Sequence, residues 1–211
     1  TVSKGVDASK TAVLGVSALD VDPVDQRRWP ALQGPHNAQN AACAIAVCHA
    51  LGLFDHEIEQ ALASYAALPH RMEWVADHDG VRYFNDSKAT NAASTAPALA
   101  AFPPVDGQPR IHWIAGGKPK GDGLIACRPA FANIKRAYFI GEAMDAFADE
   151  VGDALPTEKS GNLVHAVQAA AAHAKAGDIV LLSPACASFD QFPDYEARGD
   201  AFRHAVLALG K

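Results

Sequence analysis

The sequence contains no stretch near eighteen uninterrupted apolar residues, so no membrane-spanning helix is expected. It has no run of five basic residues, and eighteen Lys and Arg stand against twenty-four Asp and Glu, a formal net charge of −6. That balance argues against a dedicated nucleic-acid binder, which needs a cationic face for phosphates. None of the four cysteines, Cys43, Cys48, Cys127 and Cys186, forms a C-x-x-C pair. A dithiol redox motif or a cysteine zinc site is therefore not expected, and the thiols read as reduced, in a cytoplasmic protein. Cys43 and Cys48 lie in an alanine-rich helical pattern, where a free thiol serves as a small core residue. Both G-x-x-x-x-G-K-[ST] and G-x-S-x-G are missing, which removes a phosphate-cradling P-loop and a nucleophile elbow. His49, His56, His78, His112, His165, His173 and His204 show no metal-ligand spacing, and no metal site is expected in this chain. No signal-peptide pattern follows Thr1. Because the chain begins with threonine, it is expected to be a piece of something longer.

What remains is ordinary globular material: 211 residues, 49% hydrophobic and 20% charged. Ample apolar surface is available to offset chain entropy, and the length suits one large domain or two modest ones. Residues 12–20 read as a strand. Residues 36–51 read as a helix with Gly52 as its stop. Asp55 is a candidate N-cap for a helix over 56–67, whose Ile58, Leu62, Tyr65 and Ala66 make an apolar stripe and which Pro69 ends. Beyond Leu68-Pro69 the pattern changes. Strands over 72–76 and 81–84 flank an Asp79-Gly80 step, a hairpin signal. Further strands over 111–115, 136–140 and 179–183 alternate with helices near 94–101, 142–150, 162–175 and 195–209. Pro97 suits only an opening turn, which makes Ser94 or Thr95 the expected cap. The alternation predicts an α/β fold with a mostly parallel sheet flanked by helices.

In such sheets ligands gather at the carboxyl ends of strands, and three loops there are chemically dense. Asn85 to Asn91 gathers a carboxylate, two hydroxyls, two amides and Lys88 ahead of a helix. Capping accounts for the hydroxyls but not for Lys88, which opposes a helix N-terminus unless an anion is present. Gly116 to Gly123 offers bare backbone and Lys120; a solvated turn is the plain alternative. Ser183 to Phe192 presents small residues and Ser188, with no histidine to activate it, and is equally consistent with a capped turn. Together they describe a cationic crevice for a small anion with more than one carboxylate or phosphate. Asn37 and Asn40, three apart on one helix, could read the edge of a nucleobase, or Asn37 could simply be an N-cap. Arg71 stands at the boundary, where it could reach a phosphate or form a surface salt bridge.

The segments GPHNAQNAACAIA, LPHRMEWV, RYFNDSKATN, IAGGKPKGD and LLSPACASFDQF, in this order, resemble the Mur ligases, and among them the member that adds D-glutamate. The likeness runs from about Gly34 to Leu209 and is weak before Gly34. It implies that residues 1–68 are the C-terminal end of a central ATPase domain (strands plus two helices), and residues 69–211 a whole C-terminal Rossmann-like domain. It further implies a peptidoglycan-building reaction in which ATP, with Mg2+, phosphorylates the carboxylate of UDP-N-acetylmuramoyl-L-alanine, and the amine of D-glutamate displaces phosphate through a tetrahedral intermediate. The P-loop, the metal ligands and a carbamylated lysine would belong to the rest of the ligase chain, a necessary partner, so this chain alone is expected to be inactive. By the same likeness His36, Asn37 and Asn40 contact adenine, Arg71 the ADP phosphates and Asp86 the ribose. Lys88, Thr90 and Lys120, with the two lysines as the catalytic pair, surround the D-glutamate α-carboxylate. Ser188 holds the γ-carboxylate beside the backbone N–H of Tyr195, where phenylalanine is usual. Another Mur-type or folylpolyglutamate-type ligase lobe, or a non-catalytic nucleotide- or anion-binding module, remain the alternatives.

Overall fold

The computed structural model describes residues 14–66, 68–121 and 123–210. The chain divides into two compact units, Thr1–Ala66 and Ala67–Lys211.

The first unit is helical over its described residues. A 3₁₀ turn, Ala18–Asp20, leads to α1 (Pro23–Gln26), α2 (Pro35–Ala50) and α3 (Asp55–Ser64). Gly34, at φ 88°, turns the chain so that Pro35 takes the first helical position of α2, where its missing N–H costs nothing. Ala38, Ala41 and Ala42 form the inner stripe of α2 and bury against Val21, Trp29 and Leu32. Four readings change here. Residues 14–20 hold no strand (12 and 13 lie outside the described residues), because an apolar run alone does not choose strand geometry and no described strand of this unit is there to pair with it. Cys43 is exposed and Cys48 half-buried, since the helical period aims the 38–41–42 stripe, not the thiols, at the core. Asp55 is the first helical residue rather than the cap. The Glu57 carboxylate reaches back to the Phe54 N–H at 2.9 Å instead, and Asp55 lies 2.8 Å from His49 Nε2. The helix also ends at Ser64, earlier than Pro69 requires.

The second unit is a six-stranded sheet with helices on both faces. β1 (Glu73–His78) and β2 (Val81–Asn85) form an antiparallel hairpin. Its turn residues, Asp79 and Gly80, have φ of 53° and 78°, the primed geometry that the D-G step predicts. β3 (Ile111–Gly116), β4 (Ile134–Ile140), β5 (Thr157–Gly161) and β6 (Ile179–Leu182) complete the order β1-β2-β6-β3-β4-β5, parallel from β2 onward. Alternate residues face opposite layers. Ile111, Trp113, Ala137, Phe139, Ile179 and Leu181 pack with α4 (Ala92–Ala100), α5 (Met144–Val151) and the 3₁₀ segment Ile125–Asn133. Ile114, Tyr138, Ile140, Val180 and Leu182 pack with α6 (Leu163–His173) and α7 (Tyr195–Leu207). No helix among the described residues is long and apolar enough to cross a membrane.

Two details differ from expectation. α4 starts at Ala92, and Asn91, not Ser94 or Thr95, caps it by accepting the Ser94 N–H at 2.8 Å. Pro97 therefore sits in the second turn, where the carbonyl it leaves without a donor belongs to exposed Ala93. β5, of sequence TEKSG, was not anticipated, because a polar edge strand has no buried period-2 face to betray it.

Candidate functional site

β6, last in sequence, inserts between β2 and β3. The three chemically dense loops follow these adjacent strands, so topology alone brings them to one rim. Backbone bonds then fasten them. Asp86 N–H donates to the Leu182 carbonyl at 2.7 Å and Ala185 N–H to the Ala89 carbonyl at 3.0 Å. Gly116 N–H donates to the Pro184 carbonyl at 2.9 Å, and Lys118 and Ala187 exchange two bonds of 2.9 and 3.1 Å. Glycine is obligatory at the crossing. At Gly117 (φ 129°) a Cβ would stand 2.3 Å from the Ala187 carbonyl oxygen, and at Gly116 (φ 125°) 2.0 Å from that of Ile140. From below, buried Trp113 donates its indole N–H to the Ser183 carbonyl at 2.8 Å. Burial of a side chain of that size is worth about 5 kcal/mol, which makes a firm floor for the third loop.

The loops share that rim, and of the side chains singled out in them Lys120 and Thr90 touch. Lys120 Nζ, exposed, donates to Thr90 Oγ1 at 3.2 Å. Lys88 Nζ, half-buried, stands 3.9 Å from the centroid of the Tyr195 ring. Ser188 is buried at the bend of the third loop, its carbonyl accepting the N–H groups of Gln191 and Phe192 at 3.1 and 2.8 Å. Asp190 takes the Glu142 N–H at 3.0 Å and Gln191 donates to the Gly161 carbonyl at 2.8 Å, carrying the loop across the ends of β4 and β5.

Two buried residues behind the rim escaped the sequence reading. Arg198 of α7 donates from Nε to Ser87 Oγ (3.0 Å), from Nη2 to the Ser87 carbonyl (2.9 Å) and from Nη1 to the Cys186 carbonyl (3.1 Å). Burial lowers its pKa to about 10, so it stays cationic at neutral pH. His70, in left-handed backbone at φ 62°, faces Asn85 Nδ2 at 3.0 Å. Gly199 makes room for it: a Cβ there would fall 2.1 Å from His70 Nδ1. A buried arginine looks in sequence like any helix-surface arginine, but the RG pair on the apolar side of α7 was a usable hint.

Asp86 is buried. Its carboxylate accepts Ser183 Oγ at 2.8 Å and the Met72 N–H at 3.3 Å. Desolvation pushes its pKa up to about 7, against the pull of those bonds and of Arg71 nearby. Arg71 itself is exposed just ahead of β1. His36, Asn37 and Asn40 belong to the other compact unit, on the opening turns of α2. Asn37 is the third helical residue, so it does not cap. Its Nδ2 donates to the Gln33 carbonyl at 3.1 Å, and its Oδ1 accepts Asn40 Nδ2 at 3.3 Å. The buried His36 Nδ1 has no hydrogen-bond partner among the described residues, and burial lowers its pKa, keeping the ring neutral.

Among the described residues no three His, Cys, Asp or Glu side chains gather where they could hold a metal. Lys88 and Lys120, like Lys118 and Arg71, form no salt bridge within the described residues, unlike Arg28, Arg128, Lys135, Lys159 and Arg203. The rim can therefore offer two ammonium groups and a hydroxyl to an anion.

Comparison with known proteins places residues 70–186 in the profile described as Mur ligase, glutamate ligase domain. The chain is 70% identical over 195 residues to a UDP-N-acetylmuramoylalanine–D-glutamate ligase of Sphingopyxis alaskensis, covering 92% of this chain and 45% of that protein. It is 50% identical over 202 residues to the Zymomonas mobilis protein of the same name, covering 95% and 44%. The chain thus spans less than half the length of these relatives. Among solved structures, UDP-N-acetylmuramate-alanine ligase of Thermotoga maritima aligns with a TM-score of 0.59 at 14% identity over 83% of this chain and 39% of that one, a likeness of fold.

Proposed function

Because the chain belongs to the Mur ligase family, we propose that it is the amino-acid-binding lobe, with part of the nucleotide site, of an ATP-dependent ligase that joins D-glutamate to UDP-N-acetylmuramoyl-L-alanine in the cytoplasm. In this reading residues 1–68 close the central ATPase domain and residues 69–211 are the C-terminal domain. The observation that carries it is the convergence of Lys88, Thr90, Lys120 and Ser188 at the ends of three adjacent strands, with both ammonium groups free of carboxylates among the described residues.

The family resemblance supplies the division of roles on this rim. D-Glutamate carries two carboxylates. Lys88 and Lys120, with the Thr90 hydroxyl, take the α-carboxylate through charge-assisted hydrogen bonds, and Ser188 with the Tyr195 backbone N–H takes the γ-carboxylate. An amino acid pinned at both ends has its amine aimed rather than free, and positioning of this kind can supply about 7 kcal/mol or more of a barrier. Ser188 acts as a ligand rather than a nucleophile.

ATP, when bound, would supply the phosphoryl group that activates the acceptor carboxylate. The purine end of such a site would fall to the opening turns of α2, where His36 Nδ1 has no hydrogen-bond partner among the described residues and Asn37 and Asn40 are joined by a hydrogen bond. Arg71 and Asp86 would serve phosphate and ribose. For Mg2+ the described residues supply no cluster.

The test is a titration of the 211-residue chain with D- and L-glutamate, following backbone amide shifts. Saturable shifts centred on residues 86–91, 117–121 and 183–190, stronger for the D isomer, are expected. Equal response to both isomers, or shifts elsewhere, overturn the reading. A phosphate-release assay with ATP, D-glutamate and the nucleotide substrate is expected to give no turnover on this chain alone.

A further inference from the structure

A lysine that must meet a substrate carboxylate has a conformational problem. Its flexible stem carries about 2 kcal/mol of rotamer entropy. A neighbouring carboxylate would hold it still, but would also neutralise it and compete with the incoming anion. An aromatic face avoids both effects: the ring quadrupole attracts the cation and leaves its N–H donors unspent.

Lys88 has such a face beneath it, 3.9 Å away in Tyr195. Two bonds hold the backbone around Tyr195 and one contact holds its ring. Tyr195 opens α7, whose Asp194 cap accepts the Ala197 N–H at 2.6 Å. The Tyr195 carbonyl accepts Ser87 Oγ at 2.8 Å. His70 packs edge-on at 6.1 Å between centroids, with 79° between planes, and its carbonyl accepts the Lys88 N–H at 3.0 Å. Lysine and ring are therefore built into one unit before any ligand arrives.

We propose that the Tyr195 ring is a positioning residue that parks the Lys88 ammonium for a substrate carboxylate without neutralising it. This rests on the reading of the rim as a D-glutamate site. It differs from the backbone contact assigned to Tyr195 above, because a backbone N–H survives any side-chain change and a ring does not.

The experiment uses the 211-residue chain with Tyr195→Phe and Tyr195→Leu, each alone and combined with Lys88→Gln. Without ligand, the Lys88 Cε protons should show an upfield ring-current shift in the wild type and in Tyr195→Phe that vanishes in Tyr195→Leu. D-Glutamate should bind about fivefold more weakly to Tyr195→Leu, the scale of a half-buried cation–π contact, and normally to Tyr195→Phe. In the Lys88→Gln background Tyr195→Leu should cost nothing further, which a merely structural tyrosine would not reproduce. An unshifted Lys88 methylene, or the same loss with and without Lys88, overturns the proposal. A wild-type chain that ignores D-glutamate sinks the functional reading instead, and the ring-current comparison still decides whether the ring holds the lysine.

Discussion

Arg198 binds Ser87 twice, through the hydroxyl at 3.0 Å and through the carbonyl at 2.9 Å, and so ties α7 to the loop that carries Lys88 and Thr90. Its third donor holds the Cys186 carbonyl at 3.1 Å in the loop that carries Ser188. One buried fork thus joins two of the three rim loops from beneath, and adds a fixed positive charge behind the proposed anion site.

Replacing that fork should be expensive. Arg198→Met leaves the Ser87 and Cys186 carbonyls buried without a donor, and the expected loss is about 3 kcal/mol of folding stability. Arg198→Lys should recover little, because an ammonium cannot span three acceptors in the geometry of a planar guanidinium. Urea midpoints of the three chains measure this. A Lys variant as stable as the wild type would show that charge, not the fork, is what the rim needs.

The buried Asp86 predicts an unusual slope of stability against pH. Its folded pKa, about 7, lies above the ordinary 3.8. Between those values the folded state holds a proton that the unfolded chain has lost, so this residue's contribution to stability falls as pH rises through the window and is constant above it. Asp86→Asn has no proton to lose. Its amide oxygen can accept the Met72 N–H, and its NH2 can donate to Ser183 Oγ, whose hydroxyl is also 3.1 Å from Thr95 Oγ1. Denaturation midpoints from pH 4.5 to 8 should decline in the wild type relative to Asp86→Asn. Parallel profiles would mean that Asp86 is ionised throughout.

Gly199 and His70 form a lock of another kind. Gly199→Ala places a methyl 2.1 Å from His70 Nδ1. The ring is itself held by Asn85 and lies edge-on to Tyr195, so it has little room to yield. The expected cost is about 2–3 kcal/mol, as for overpacking elsewhere. His70→Ala in the Gly199→Ala background should destabilise less than the two single changes added together. Strict additivity in thermal unfolding would remove the steric explanation.

These residues mark the limit of what the sequence discloses. β6 was legible because a buried parallel strand is a continuous apolar run, β3 and β4 because residues 113–115 and 137–140 are short ones, and the β1–β2 hairpin because Asp-Gly selects its own turn. That the three loops share one rim follows from the strand order, which places β6 between β2 and β3. Arg198 and His70 were not legible, since burial is a property of tertiary packing, and the Arg198-Gly199 pair was the one local hint of it. The sequence pointed to the backbone N–H of Tyr195 and was silent on its ring, which faces Lys88. β5 and the Asn91 cap were missed for a simpler reason, that polar residues at element ends fit several local geometries at once.

The Lys120–Thr90 bond offers a direct test of the proposed binding site. Thr90 Oγ1 accepts from Lys120 Nζ at 3.2 Å, linking the first and second loops at their exposed tips. Thr90→Val keeps the shape and removes the acceptor. With Lys120 exposed, folding stability should change by less than about 0.5 kcal/mol. The ammonium, however, loses the anchor that sets its direction, and the hydroxyl is lost as a donor to the ligand carboxylate. D-Glutamate should then bind roughly three- to tenfold more weakly, the range of one or two modest hydrogen bonds. Thr90→Ser restores the oxygen and should restore most of the affinity. Titrations of the three chains under identical salt separate the outcomes. If the valine variant binds D-glutamate as tightly as the wild type, Thr90 is a loop residue with no part in recognition, and Lys120 finds its direction without it.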